Sequence, residues 1–557
     1  MKKTNFATAL SAVLILVPMA AWAQVPSTAE PGLVIRGLEE ERRPVSRLED
    51  TVTVPAEAAG KGLSTEKAFT LKGVVLEGSS AYDGADLAGL YGDFIGQPVS
   101  FADLNTIAQR VTRKYREDGY VFSRAVLPPQ KIADGVLRLQ AVEGRIVNVD
   151  VVGNYEDENG LVKAFADKIR QAGPANTKEL ERYLLLIDDL PGLTARSFVR
   201  PSATKGGGDL VISVEQDDFE GSGSLDNRGS DYLGQWRGTL VGAWNSLFGR
   251  HDRTTLRGIL SSQMQELRFA DITHEEQLGT EGTRLKGRFA VTQTQPGGDV
   301  STQNIEGSSR LLEIETLHPL VRGRQYNINL YGGLTLLNSE SDVLGLEVAH
   351  DRVRYVKAGT RFDFTDSFKG VNQFDLHVAQ GFDMLGATED GLGRSRGNGD
   401  HEFLRFNGTV TRIQDTWWSD LSMMLSASGQ YSSDPLLASE EFAVGGPGFG
   451  RAYDSGEIVG DKGWSGVAEL RYGGPLDTNF MKSYQVYTFV DYGKVWNHRI
   501  AVGEVAKDSL SSAGIGIRFN LKENYSGYLE LDKPLNKDVN AENDDNSRLF
   551  FSLLKRF

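Results

Sequence analysis

The nine residues Tyr484–Tyr492 read YQVYTFVDY, and their pattern decides the fold. The even positions are tyrosine, valine, threonine, valine and tyrosine, whereas the odd positions include Gln485, Phe489 and Asp491. Successive side chains of a β-strand point to opposite faces. We therefore expect the even positions to face lipid, and Phe489, Asp491 and the following Gly493 to face a polar interior.

The same period of two recurs through residues 217–557, for example in AGIGIRF (513–519) and LFFSLLKRF (549–557). Runs of about 10 alternating residues separated by Gly, Asn, Asp and Ser turns are typical of an outer-membrane barrel. Bacterial barrels have even strand numbers, so we predict a transmembrane β-barrel of about 16 antiparallel strands. Aromatic residues at strand ends fit interfacial girdles: Trp417, Trp418, Trp464, Tyr472, Tyr492 and Trp496. Two soluble β-sandwiches would alternate too, but would not explain an export leader or a last strand ending on Phe557.

The leader is residues 1–23. Lys2 and Lys3 precede the apolar run Phe6–Met19, and Ala21-Trp22-Ala23 forms an A-x-A cleavage site. This order is that of a secretory signal peptide. The alternative is a membrane anchor, but the apolar run is shorter than the roughly 20 residues that span a bilayer.

Composition excludes several classes of protein. The formal net charge of −15 leaves no basic surplus for a nucleic acid. The chain has no cysteine, and its seven histidines form no H-E-x-x-H motif. We therefore expect no metal and no cofactor. Two loop motifs resemble known sites but do not match them. GPGFG (446–450) lacks the Lys-Ser/Thr and helix of a phosphate loop, and Asp454, Glu457 and Asp461 miss the spacing of a calcium loop. No catalytic constellation stands out, so we expect no enzyme activity.

Three segments precede the barrel. Residues 24–67 have a linker composition, which favours a solvated tether, although residues 32–43 could form a helix between Pro31 and Pro44. Residues 68–144 and 145–216 each predict the order β-α-α-β-β, which is an internal repeat. In the first unit, Ser100 and Asp103 form a capping-box pair ahead of a helix that Gly119 ends. An exposed sheet edge in such a unit could bind an extended peptide as an extra strand; the alternative is a spacer without client contact.

One long loop, residues 433–463, interrupts the strands and contains VGGPGFGRAYDSGEIVGDKG (444–463). A loop of this length between strands is usually functional or disordered. Strand alternation makes Glu469 and Arg471 face the lumen beside it. We expect the loop to fold into the barrel and to pair Arg451 with a wall carboxylate, Asp491. The alternative is an arginine that contacts only water.

The chain resembles the outer-membrane transporters of two-partner secretion, the haemolysin secretion/activation and filamentous-haemagglutinin transporter family, whose barrels follow periplasmic POTRA (polypeptide-transport-associated) domains. The residues that carry the resemblance are Phe69, Gly78, Gly119-Tyr120, Ser123–Gln130 and Glu143-Gly144 in the first unit, and Asp226–Gly229, GGPGFGRAYD (445–454), F-x-D-x-G (489–493) and Phe557 in the barrel.

The resemblance implies POTRA domains over 68–144 and 145–216 and a barrel of 16 strands with its sixth extracellular loop inside the lumen. It implies that the loop contacts the wall through Arg451, Tyr453, Phe489, Asp491 and Gly493, with Arg451 paired to Asp491. It also implies that Phe557 belongs to a barrel-assembly signal, and that residues 32–43 are a possible pore plug. In one departure from the family pattern, Ala452 replaces a glycine, which suggests a less sharply turned loop tip.

The function implied is passive export of one large partner protein across a Gram-negative outer membrane. The partner would arrive unfolded and be bound by the POTRA domains in the periplasm. Chaperones and the barrel-assembly machinery would serve biogenesis. The main alternative is an insertase that assembles other barrels; a diffusion porin would leave the two N-terminal units unexplained.

Overall fold

The computed structural model describes residues 25–40, 66–132, 134–204, 206–388, 393–476, 478–498 and 504–557. Along the chain it places a short helix, two small α+β units and one closed β-barrel. The predicted signal peptide (1–23) and residues 41–65 of the predicted linker, including the end of the predicted helix, lie outside the described residues.

The N-terminal helix α1 (Pro31–Glu40) begins at a proline, whose fixed φ suits the first helical position. It lies inside the barrel, where Ile35 and Leu38 are buried in one cluster with wall residues such as Phe269. The solvated tether favoured by composition is therefore wrong for residues 25–40, because the helix buries its apolar side chains against the wall. Within the described residues, no helix is long and apolar enough to cross a membrane.

The first α+β unit has the predicted helices and sheet. Its elements are β1 (Lys67–Thr70), β2 (Gly73–Glu77), α2 (Gly84–Leu87), β3 (Pro98–Ser100), α3 (Phe101–Glu117), β4 (Arg124–Val126) and β5 (Val136–Val142). The strand predicted over 69–76 is split into β1 and β2, because Leu71 O accepts from Gly96 while Lys72 N donates to Gly135. The main sheet has the order β2-β5-β4, with β2 parallel to β5. The Ser100–Asp103 capping box is present at the start of α3.

Glu143, at the end of this unit, is hydrogen-bonded both to the loop after β2 and to helix α3. The carboxylate accepts hydrogen bonds from the backbone N–H groups of Ser80 (2.8 Å) and Ala81 (2.9 Å) and from the Tyr115 hydroxyl (3.0 Å). Burial alone would raise the pKa of Glu143, but these donors favour the charged form and hold the pKa below its usual value. The ionised carboxylate therefore contributes to the stability of the unit.

The second unit repeats the topology of the first. It contains β6 (Arg145–Asn154), α4 (Leu161–Gln171), α5 (Thr177–Asp188), β7 (Leu193–Pro201) and β8 (Gly207–Gln216), with sheet order β6-β8-β7 and β6 parallel to β8. Backbone bonds join the two units directly: Thr177 N donates to Gly119 O (2.9 Å) and Ala175 N to Gly144 O (2.7 Å). The units are thus coupled without a flexible spacer.

The barrel closes from sixteen antiparallel strands in sequence order, with the last paired to the first. The strands, and two short ones in the long loop, are β9 (Phe219–Asp226), β10 (Arg237–Asn245), β11 (Arg253–Ser261), β12 (Leu267–Leu278), β13 (Thr283–Thr294), β14 (Ile305–Arg322), β15 (Tyr326–Val343), β16 (Leu346–Thr365), β17 (Gly370–Gly381), β18 (Leu404–Asp415), β19 (Leu421–Ser432), β20 (Phe442–Val444), β21 (Ile458–Gly460), β22 (Lys462–Pro475), β23 (Met481–Trp496), β24 (Lys507–Leu521), β25 (Tyr525–Pro534) and β26 (Arg548–Arg556). The predicted faces agree with burial: Val490 is 51% exposed on the outside, whereas Asp491 is 2% exposed.

The second α+β unit is fixed to turns of the barrel that include β12–β13 and β14–β15. Asp189 accepts from both Nε and Nη2 of Arg322 at 2.7 Å. Arg182 Nη2 donates to the carbonyls of Glu281 and Pro319, each at 3.1 Å. These contacts hold the unit beneath the first half of the barrel.

Candidate functional site

The loop between β19 and β22 folds back into the barrel. It spans residues 433–461, because Lys462 and Gly463 of the predicted loop already belong to β22. Strands β20 and β21 pair antiparallel at its base. The sharp turn before Arg451 is made by Gly450, which has φ +79°, a conformation that glycine adopts without strain. Ala452 is not among the residues with positive φ, so alanine is accommodated there and the tip turns at Gly450 instead.

Arg451 is buried, and its guanidinium contacts the wall at Glu469. Nη1 lies 2.5 Å from Glu469 Oε2 and 3.6 Å from Glu530 Oε2. The guanidinium carbon also lies 4.3 Å from the centre of the Phe489 ring, which is a cation–π distance. The charge partner of Arg451 is therefore Glu469, and Glu530 is a second, more distant carboxylate.

Asp491 binds the loop in a different way from the prediction. Its Oδ2 accepts from the backbone N–H of Arg451 (3.0 Å), and its Oδ1 accepts from the N–H (3.1 Å) and hydroxyl (2.5 Å) of Ser512. The predicted guanidinium–Asp491 pair is wrong. An arginine side chain is long, so its backbone lies level with Asp491 while its charge reaches Glu469, which pairs across the ladder with Phe489.

Glu469 gathers three arginines and is completely buried. Besides Arg451, it accepts from Arg471 Nε (2.6 Å) and from both terminal nitrogens of Arg518 (2.8 and 3.0 Å). Charge-assisted bonds of this kind are shorter and stronger than neutral ones. Sequence alternation already placed Glu469 in the lumen, but nothing in the sequence distinguished it from Asp491 as the partner.

Arg228, which follows the first strand, holds the loop from the other side. Its Nη1 donates to the carbonyl of Arg451 at 2.7 Å, and its Nη2 pairs with Glu530. The ring of Phe550 lies 3.8 Å from its guanidinium carbon. The resemblance included Arg228 only as part of a motif, and no local sequence pattern indicates that it contacts the loop.

The remaining predicted residues also lie at the loop–wall interface. The hydroxyl of the buried Tyr453 donates to the carbonyl of Lys537 (3.0 Å). Gly493 leaves space that the side chain of Val444 fills, since a Cβ at Gly493 would overlap it. Phe557, by contrast, is 76% exposed at the far end of the barrel, where its N–H donates to Gly221 O (2.9 Å).

Helix α1 joins the loop to the opposite wall. Arg36 pairs with Glu440 of the loop at 3.1 Å, and Arg405 of the wall pairs with the same carboxylate at 2.5 Å. Arg257 donates to the carbonyl of Leu38 at 3.0 Å. The helix is thus hydrogen-bonded to both the loop and the wall. Across the described residues, no group of three His, Cys, Asp or Glu could hold a metal ion.

A closed barrel of sixteen strands, a loop folded into its lumen and α+β units before it are the features of an outer-membrane barrel protein with POTRA domains. The family model described as haemolysin secretion/activation protein ShlB/FhaC/HecB matches residues 206–519, and the model described as POTRA domain, ShlB-type, matches residues 69–144. The chain belongs to this haemolysin secretion/activation family.

Relatives of this chain that carry names are transporters, in agreement with the family model. The chain is 23% identical over 486 residues to the heme/hemopexin transporter protein HuxB of Haemophilus influenzae, covering 85% of this chain and 84% of HuxB. It is 22% identical to the hemolysin transporter protein HpmB of Proteus mirabilis, with coverages of 82% and 80%. Among solved structures, CdiB from Escherichia coli superposes with a TM-score of 0.76 at 19% identity, covering 94% of this chain and 96% of CdiB. At that identity the superposition establishes the fold.

The protein is therefore a two-partner secretion transporter of the outer membrane, with its N-terminal domains in the periplasm, and it exports a partner exoprotein. Family membership favours export over the insertase alternative. The long loop described above is the sixth extracellular loop of the barrel and is called loop 6 below.

Proposed function

We propose that α1 and loop 6 together close the pore, and that the exported chain displaces both on its way through. The observation that carries this proposal is Glu440, a loop 6 carboxylate shared between Arg36 of α1 and Arg405 of the wall. Because one carboxylate serves both elements, movement of the loop weakens the hold on the helix. Arg451 and its partners at the wall keep the loop in its closed position until the exported chain arrives.

We assign capture of the exported partner to the two periplasmic α+β units. Strands β2 and β4 are the edges of the first main sheet, and β6 and β7 are the edges of the second. An extended segment of the unfolded partner adds to such an edge through main-chain hydrogen bonds. The names of the relatives, which include a hemolysin transporter and a heme/hemopexin transporter, support a large secreted partner, and we infer that it is haemolysin- or adhesin-like. We infer no catalytic role, and folding of the emerged partner outside the cell drives export.

Biogenesis of the transporter itself depends on the assembly machinery and chaperones of the periplasm, to which the exposed C-terminal Phe557 presents a recognition signal. Substitution of Phe557 by serine lowers the amount of folded barrel in the membrane, whereas the same change at the exposed Phe480 of a periplasmic turn does not. Equal loss for both variants would contradict this role.

Two experiments test the function. Deletion of the gene removes one very large secreted or surface protein and leaves other barrels unchanged; a broad fall in barrel proteins would instead indicate an insertase. Arg451→Ala leaves the barrel folded and sharply lowers export of that protein. Wild-type export by this variant would contradict the proposed role of loop 6.

A further inference from the structure

The seam between the first and last strands differs from every other ladder of the barrel among its described strands. Residues Ser222–Asp226 of β9 pair with Ser552–Arg556 of β26, which is the shortest ladder in the barrel. On its other side, β26 pairs with β25 up to Arg548. The extracellular half of the β26 edge therefore has no strand beside it.

One side chain takes the place of the missing strand. The amide of Asn227 donates from Nδ2 to the carbonyl of Leu549 (2.8 Å) and accepts at Oδ1 from the N–H of Phe551 (2.7 Å). This pair of bonds imitates the pattern that a neighbouring strand backbone would offer. The Trp236 ring packs against the Phe551 ring, with the ring centres 5.0 Å apart. Asn227 thus closes the extracellular part of the seam between β9 and β26.

The next residue in the chain connects this closure to loop 6. Arg228 donates to the carbonyl of Arg451, as described above, and its own N–H donates to Asp226 Oδ1 (2.9 Å). Gly229 leaves no room for a Cβ against the carbonyl of Gly234, so the backbone of the segment is fixed on that side as well. A shift of the loop at Arg451 therefore displaces Arg228, which is adjacent to Asn227.

We propose that Asn227 is a clasp for the first–last strand seam and that Arg228 couples this clasp to loop 6, so that displacement of the loop during export loosens the seam. Asn227 is a positioning residue in this scheme. Its partner is the main chain of β26. The coupling itself rests on the loop–wall geometry, and only its use during export rests on the proposed function.

Hydrogen exchange tests the coupling without any exported protein. In the full-length transporter in lipid nanodiscs, Asn227→Ala should speed exchange of amides in peptide 548–556 about 25-fold, because two hydrogen bonds are lost and each is worth about fivefold. Asn227→Asp, which keeps the acceptor for Phe551, should give a smaller increase. Glu469→Gln, which lies on β22 and frees the loop, should also speed exchange in 548–556. Exchange in the β18 peptide, 404–415, should not change in any of them.

Unchanged exchange of 548–556 in Asn227→Ala would overturn the clasp, and unchanged exchange in Glu469→Gln would overturn the coupling. A matching rise in the β18 peptide would indicate general loosening and would also overturn the proposal.

Cross-linking tests the use of the seam in export. The chain has no cysteine, so Ser224→Cys with Leu554→Cys, which are direct partners across the seam, forms a unique disulfide. The matched control is Thr409→Cys with Ser428→Cys on β18 and β19, where the two hydroxyls lie 3.0 Å apart. The seam disulfide should lower export about tenfold and reductant should restore it, whereas the control disulfide should have no effect. Normal export with the seam locked would overturn its role in export, leaving the exchange result to judge the coupling alone.

Discussion

Removal of the Glu469 charge tests what holds loop 6 inside the barrel. The carboxylate is fully buried and accepts from Arg451, Arg471 and Arg518 at 2.5 to 3.0 Å. Glu469→Gln keeps the shape of the side chain but leaves three guanidinium groups close together with little to balance them. Removal of one partner of a buried ion pair costs about 3–5 kcal/mol. Since Glu530 remains 3.6 Å from Arg451, the lower end of that range applies.

A free energy of about 3 kcal/mol corresponds to roughly a hundredfold change in an equilibrium constant. The loop leaves its closed position when the hold of Glu469 on Arg451 is weakened, so the open population should rise by that factor. Ser455→Cys provides the measurement, because Ser455 is half-buried in the loop and the chain has no other cysteine. Labelling by a maleimide should be about a hundredfold faster when Glu469→Gln is added.

A double-mutant cycle distinguishes Glu469 from Asp491 as the charge partner. Arg451→Met combined with Glu469→Gln should label no faster than Glu469→Gln alone, because both changes remove the same contact. Arg451→Met combined with Asp491→Asn should be additive, because Asp491 binds the backbone N–H, which methionine retains. The opposite result, coupling to Asp491 and additivity with Glu469, would refute the reasoning.

Three further outcomes are expected. Tyr453→Phe loses the hydrogen bond to the Lys537 carbonyl, worth about 1 kcal/mol, so labelling at Ser455→Cys should rise about fivefold; an unchanged rate would contradict a holding role. Deletion of residues 25–40 should raise single-channel conductance in planar bilayers, since α1 lies in the lumen, and unchanged conductance would exclude a plug. Glu143→Gln should make residues 66–144 of the full-length protein more sensitive to protease at pH 7. Because the folded pKa of Glu143 is lowered, its stabilisation is present above about pH 4 and is lost as the pH falls further, so variant and parent should converge in acid.

The period of two in the sequence predicts the barrel and the face of each wall residue, because alternation is a local property of a strand. It places Glu469, Phe489 and Asp491 in the lumen, where the structure also has them. The partner of the Arg451 charge could not be predicted in the same way. The choice between Glu469 and Asp491 depends on how far a long side chain extends along the wall, which is a property of the folded loop.

Helix α1 shows a second feature that a local sequence pattern cannot predict, namely the environment of an element in the folded chain. The prolines and charges of residues 24–67 suggest a solvated segment, and only the barrel around the helix supplies apolar partners for Ile35 and Leu38. Arg228 is similar, since its contact with the Arg451 carbonyl joins residues more than two hundred positions apart. Burial and contacts that come from distant parts of the chain leave no local pattern, so sequence reasoning finds the element but not its environment.

The arrangement around Glu469 also explains how a buried ion pair can act as a reversible latch. When loop 6 leaves, Arg451 passes into water, but Glu469 keeps Arg471 and Arg518 and is not left as an uncompensated buried charge. The cost of opening is therefore smaller than the cost of breaking an isolated buried pair. It follows that Arg451→Met should be milder than Glu469→Gln in the labelling assay. A wall carboxylate with Arg451 as its sole partner would predict equal effects for the two substitutions.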